Sequence, residues 1–234
     1  MSTTTPATAQ ETMISLVGSL ADNKAALGRC YADWAVSAPT LESAVAAAAM
    51  AQDELGHARS TYPVLKALGV EDAEVDAARR LALLDDGLAD WTSLIAANML
   101  VDAVLTTFVA ACTESSVEAM ASRARKILQE EGSHRVHAEA WAKRLCRGGG
   151  AARDELVARL RETWEQAGHW AGPDDDAGFA AALREGMVGQ SPAAQREVVR
   201  TWVRDLLAAE GVELELPEPT DWSKWDPARR RRAA

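Results

Sequence analysis

Four long stretches of this chain repeat their apolar residues at the 3.6-residue spacing of an α-helix, and that periodicity limits the fold more than any motif. The first stretch runs from about Gln10 to Val36, where Ala38-Pro39 ends it and Thr40 is placed to cap the next. The second runs from about Leu41 to Leu68, with Pro63 expected to kink its last turns and Gly69 to close it. Residues 70–87 form a longer acidic crossover with a short helix expected around Asp76–Leu84. The third helix spans about Leu88–Ala111 and the fourth about Val117–Cys146, stopped by Gly148-Gly149-Gly150. Ala dominates an apolar content of 48%, and with Leu, Glu and Arg it makes the chain rich in helix formers and poor in strand formers.

Two tight helical hairpins joined by one longer connection have the connectivity of a ferritin-like four-helix bundle. The expected class is therefore all-α, one domain over 1–234 with the bundle at about 10–147. Accessory helices at about Ala152–Ala167 and Pro192–Ala209 follow, separated by the turn Gly172-Pro173-Asp174-Asp175-Asp176. From Glu210 onward the Pro-rich chain is expected to run extended and wrap the bundle through Trp222 and Trp225, with the basic run Arg229–Arg232 as a disordered charged end.

A formal net charge of -10, spread along the helices, argues against nucleic acid as a partner. The polar start MSTTTPATAQ has neither the basic nor the apolar character of a signal peptide. Cys30, Cys112 and Cys146 form no Cys-x-x-Cys pair and suit a reducing cytoplasm. The longest apolar run, Leu94–Cys112, holds Asn98 and Asp102 and reads as a buried helix rather than a membrane span.

Chemistry enters with two Glu-x-x-His motifs, Glu54-Leu-Gly-His57 and Glu131-Gly-Ser-His134, one on the second helix of each hairpin. Residues i and i+3 share a helix face, so a carboxylate and an imidazole can reach one metal ion. Di-metal proteins of this architecture add one carboxylate from each remaining helix. On the third helix Asp102 projects with Trp91, Ile95, Leu105 and Val109 and is the only charge in its surroundings. An ionised carboxylate there needs a cation, the alternative being a hydrogen bond to Thr106 or Thr107. The first helix departs from the pattern. Its acids Asp22 and Asp33 project away from the apolar stripe, while Lys24 and Tyr31 occupy the centre of its inner face. Lys24 is expected beside a metal-bound carboxylate or in a substrate cavity, the alternative being a snorkel to solvent. Tyr31 is a candidate metal-bound phenolate, proton or electron source, or a packed phenol bonded to Glu54. His137 is read as a neighbour of the site or a surface residue, and His169 as packing beside Trp170.

Ala38-Pro39-Thr40-Leu41 with Gln52-Asp53-Glu54-Leu55-Gly56-His57, then Leu100-Val101-Asp102, Glu130-Glu131-Gly-Ser-His134 and Gly172–Asp176, resemble the phenylacetyl-CoA monooxygenase (ring 1,2-epoxidase) subunits over about residues 20–220. The likeness is to the catalytic subunit in helices two to four, whereas Asp22-Asn23 through Trp34 resembles the non-catalytic companion subunit. The resemblance implies a diiron centre, two iron ions per chain, held by Glu54, His57, Asp102, Glu131 and His134. The family's first-helix glutamate falls on Tyr31. It also implies an oxygen-activating monooxygenase acting on an aromatic acyl-CoA or related small molecule, with a reductase and a companion subunit in an oligomer. The alternatives are a stand-alone diiron oxygenase of specialised metabolism with an altered first helix, and a companion subunit without catalysis.

Overall fold

The computed structural model describes residues 7–73 and 76–232 and is all-helical apart from one short β-ribbon. The polar N-terminal expectation falls mostly on residues 1–6, outside the described residues. Helix α1 (Ala9–Ala35) opens with a reciprocal cap in which the Thr8 hydroxyl accepts from the Glu11 backbone N–H, and the Glu11 carboxylate accepts from the Thr8 N–H. Helix α2 (Leu41–Ala67) is capped by Thr40, runs through Pro63, and closes at Gly69, whose φ of +87° a residue with a Cβ rarely adopts. The crossover forms two 3₁₀ turns, Ala77–Arg79 and Ala82–Leu84, in place of the expected short helix.

The third bundle helix is built in three pieces, α3 (Trp91–Ala97), a π turn (Asn98–Asp102) and α4 (Ala103–Ala111). Together they are long and apolar enough to cross a membrane, yet 83% of the most apolar window is buried inside the protein, as for a core helix. Helix α5 (Glu118–Arg147) completes the bundle, packed against α2 and α4. Around it lie α6 (Gly150–Ala167), which covers α3 and the π turn; α7 (Ala177–Arg184), against α1; and α8 (Pro192–Ala208), against α4 and α5. Helix α7 had no counterpart in the periodicity.

The C-terminal tail is ordered, which corrects the expectation for the basic run. Trp225–Asp226 (β1) pairs antiparallel with Arg231–Arg232 (β2), and Arg230 is buried. Its guanidinium donates to the carbonyls of Trp170 and Ala171 and lies 3.5 Å from Asp176. Upstream, Trp164 Nε1 donates to the Pro217 carbonyl at 2.7 Å and Arg200 Nε to that of Leu216 at 2.7 Å. His169 sits between the carbonyls of Glu165 and Asp221, a packing role.

Gly172, at φ +89°, is where the tail crosses closest. A Cβ there would stand 2.7 Å from Arg230 Nη2 and 2.8 Å from the Trp225 ring. Gly172→Ala should therefore lower stability by about 1–3 kcal/mol from backbone strain alone. Gly132→Ala on α5, where nothing lies within 4 Å of the added carbon, should be neutral or stabilising. Paired thermal melts of the two variants check this contrast.

Candidate metal centre

Lys24 is wholly buried, and its ammonium sits where three carboxylates from three different helices meet. Nζ donates to Glu54 Oε1 at 2.8 Å, to Asp102 Oδ1 at 2.6 Å and to Glu131 Oε1 at 2.6 Å. The snorkel to solvent is thereby excluded. His134 lies alongside, Nδ1 being 3.0 Å from Asp102 Oδ2 and 3.3 Å from Glu54 Oε1. Possible ligand atoms of Glu54, Asp102, Glu131 and His134 all fall within 4.8 Å of one another. Their convergence follows from the sequence. The two Glu-x-x-His motifs face each other across α2 and α5, and the π turn swings both Asn98 and Asp102 inward, Asn98 Nδ2 donating to Asp102 Oδ2 at 3.3 Å.

Both histidines are backed by acids that were given no role from the sequence. His57 Nε2 pairs with Glu130 Oε2 at 2.7 Å, and His134 Nε2 lies 3.4 Å from Asp53 Oδ2. Each acid immediately precedes the glutamate of one motif and serves the histidine of the other, so Asp53-Glu54 and Glu130-Glu131 were the available signal. Carboxylates behind ligand imidazoles fix the tautomer and the ring plane. Glu130 thus meets His57 from the outside at Nε2, while Nδ1 on the inner side lies 3.3 Å from Glu131 Oε1. His137 touches the site at one remove, its Nδ1–H donating to Asn98 Oδ1 at 3.3 Å. Of the two hydroxyls proposed for Asp102, Thr106 donates chiefly to Glu131 Oε2 at 2.9 Å and stands 3.5 Å from Asp102, while Thr107 bonds the Ala103 carbonyl.

Asp22 is buried as well, but under the crossover, where its carboxylate accepts from Arg79 Nε at 2.5 Å and from the Tyr62 hydroxyl at 2.6 Å.

The charges balance within the cluster. Burial opposes the charge on Lys24, but Asp102, Glu131 and Glu54 hold it well above the usual lysine range. Burial also opposes a charge on His134, which its hydrogen bonds to Asp102 and Glu54 nevertheless push up to about 11. Asp102 is held below the usual carboxylate range against its burial, by Lys24 and His134, whereas Glu54 is pushed up by burial to about 7. Burial drives His137 down to about 4, keeping it neutral.

The donor set fits a metal of the oxygen- and nitrogen-loving kind, but it does not fit two with Lys24 in place. Helix α1 supplies no carboxylate, and the ammonium occupies one oxygen of each of the three that remain. Around the cluster the Tyr31 hydroxyl, Glu54 Oε2, His57 Nδ1 and His137 Nε2 are buried with no hydrogen-bond partner among the described residues, His57 Nδ1 lying 3.3 Å from Glu131 Oε1. A cavity of about 240 Å³ opens beside Asp102 and Glu131, walled by Leu128, Val199 and Trp202, with Arg135 stacked on Trp202 at 4.6 Å.

A family model described as phenylacetic acid catabolic protein matches residues 1–231. A search of curated proteins returned no match.

Proposed function

The chain belongs to the phenylacetic acid catabolic protein family, and from that premise we propose that it is the metal-holding, oxygen-activating subunit of a monooxygenase acting on an aromatic acid carried as its CoA thioester. The observation that supports this reading is the convergence of Glu54, Asp102, Glu131 and His134 on one buried point, with ligand atoms within 4.8 Å. Iron held by these residues and His57, with the Lys24 ammonium displaced from their shared oxygens, would supply the electrons that activate dioxygen. The protein's own part is positional. Glu130 and Asp53 orient the two imidazoles, Thr106 holds one oxygen of Glu131, and the cavity walled by Leu128, Val199 and Trp202 leads an apolar group to the acid floor at Asp102 and Glu131. A reductase and a companion subunit complete the assembly, in a cytoplasmic setting that keeps the three buried cysteines reduced.

The companion role is the second reading, and the ammonium of Lys24 among the carboxylates favours it. Anaerobic iron loading followed by oxygen-consumption assays with phenylacetyl-CoA and a reductase separates the two. Iron retention with substrate-dependent oxygen uptake is expected. A chain that stays iron-free and inert, yet forms a stable complex with a catalytic subunit, would be the companion.

A further inference from the structure

Resting on the reading of the acid cluster as the floor of a substrate site, we propose that Arg135 selects the substrate by its charge: the cavity takes one apolar ring, and the guanidinium at its mouth binds an oxyanion, carboxylate or phosphate, that the ring carries.

The first observation is the size and polarity of the cavity. It runs from Arg135 and Val198, whose side chains reach solvent, to Asp102 and Glu131, which are 3% and 5% exposed. Its volume of about 240 Å³ exceeds the roughly 150 Å³ of an apolar cavity that holds benzene and falls short of the roughly 300 Å³ at which pockets for drug-sized molecules begin. One ring with a short arm fits, so the rest of a larger molecule stays outside. The floor decides which end enters. Glu131 accepts from Thr106 and Lys24, and Asp102 from Lys24, so an incoming anion would meet two carboxylates whose donors are already engaged. The apolar end therefore goes in, and the charge remains at the mouth.

The second observation is how Arg135 is held. Glu139 Oε1, one turn along α5, accepts both from Arg135 Nε at 3.1 Å and from Trp202 Nε1 of α8 at 2.9 Å, and the guanidinium lies over the Trp202 ring at 4.6 Å. This pairing uses Nε alone, and no described residue accepts from either Nη. A planar fork steadied on an aromatic ring with one edge open suits a carboxylate or a phosphate. Arg135 is also the sole cation among the described residues that line the cavity.

The third observation is Gly132, one turn before Arg135 on the same face of α5. Glycine inside a helix weakens it, yet this one lines the cavity, and a Cβ added to it would meet nothing within 4 Å. The bare backbone leaves the mouth open next to the guanidinium. An ordinary surface pair of Arg135 with Glu139 is the competing reading, and it predicts no effect on ligand binding.

The test is calorimetric titration of the protein as purified, its iron content measured beforehand, with phenylacetate, phenylacetyl-CoA and the uncharged phenylacetamide. Thermal melts establish that each variant is folded. Arg135→Gln should weaken binding of the recognised anion about tenfold, the share of one charge-assisted hydrogen bond, and leave the amide unchanged. Arg135→Lys, which restores the charge without the fork, should recover part of the loss. A loss confined to phenylacetate identifies a carboxylate at Arg135, and one confined to phenylacetyl-CoA identifies a phosphate of the carrier. Gly132→Leu should weaken all three ligands by filling the mouth. An equal loss for anions and amide in Arg135→Gln overturns the role of the charge, because breaking the link between α5 and α8 would act on both alike. Unchanged binding in Arg135→Gln or in Gly132→Leu overturns the inference, as does wild type that binds none of the three. Binding is read without turnover, so the two readings fail separately. Iron-free protein with the Arg135-dependent loss keeps this inference and removes the metal-centre reading, whereas iron-bound protein that binds none of the ligands removes this inference alone.

Discussion

Lys24→Met should lower the stability of the metal-free protein by about 3–5 kcal/mol, the range for removing one partner of a buried ionic network. Methionine keeps most of the volume, so the loss isolates the charge. With the ammonium gone, Glu54, Asp102 and Glu131 face one another with only His134 and His57 to offset them. For a chain of this length such a change corresponds to a fall in Tm of about 6–20 °C. The same variant has a second expected property. If the ammonium stands for a metal, a divalent ion should substitute for it, and adding Fe(II) or Mn(II) should restore stability in proportion to the logarithm of metal concentration. Melting curves across a metal titration check both points. A Lys24→Met protein as stable as wild type without metal would show that the three carboxylates take up protons at no cost, and that Lys24 is not the cation that holds the cluster.

How much of this was legible beforehand differs between the parts of the molecule. The ends of α1, α2 and α5 were readable to within a residue or two because each carries a long apolar stripe and a local stop, such as Pro39, Gly69 or the run Gly148–Gly150. Helix α7 was invisible for the opposite reason, being only eight residues long and bounded by turns on both sides. The two motifs and Asp102 could be placed on inner faces by counting 100° per residue, but the π turn could not be foreseen. Its extra residue per turn has no sequence signature, and it is what brings Asn98 onto Asp102 and links His137 to the site. Asp53 and Glu130 were passed over because charge beside a ligand position looks the same in sequence whether it faces solvent or an imidazole. Asp22 was read correctly as pointing away from the stripe. That it is nevertheless buried depends on Arg79 and Tyr62, long-range partners that periodicity cannot show. The tail was misread for a related reason. A run of arginines reads as solvated, yet Arg230 is buried because the Trp170 and Ala171 carbonyls, in the segment after α6, and the Asp176 carboxylate give its guanidinium partners.

That clasp leads to the second large effect, at Trp170. Its indole is fully buried, Nε1 donates to the Ser19 hydroxyl at 2.9 Å, and the ring meets Phe108 edge-on at 5.3 Å. Its own carbonyl accepts from Arg230. One residue therefore joins α1, α4 and the segment after α6 to the tail. Trp170→Ala should cost about 3–5 kcal/mol, the range for deleting a buried large aromatic and leaving a cavity. Trp170→Phe should cost less, because it retains most of the apolar volume and the contact with Phe108 while losing the hydrogen bond to Ser19. Ser19 would keep its own donation to the Arg79 carbonyl at 2.8 Å, so the loss from that bond alone should be near 1 kcal/mol. Because the clasp lies outside the acid cluster, neither variant should change the iron count of protein that remains folded. Urea unfolding of the two variants, with metal content measured in parallel, separates packing from metal binding. If Trp170→Ala unfolds at the same urea concentration as wild type, the accessory helices and tail are not coupled to the bundle through this side chain.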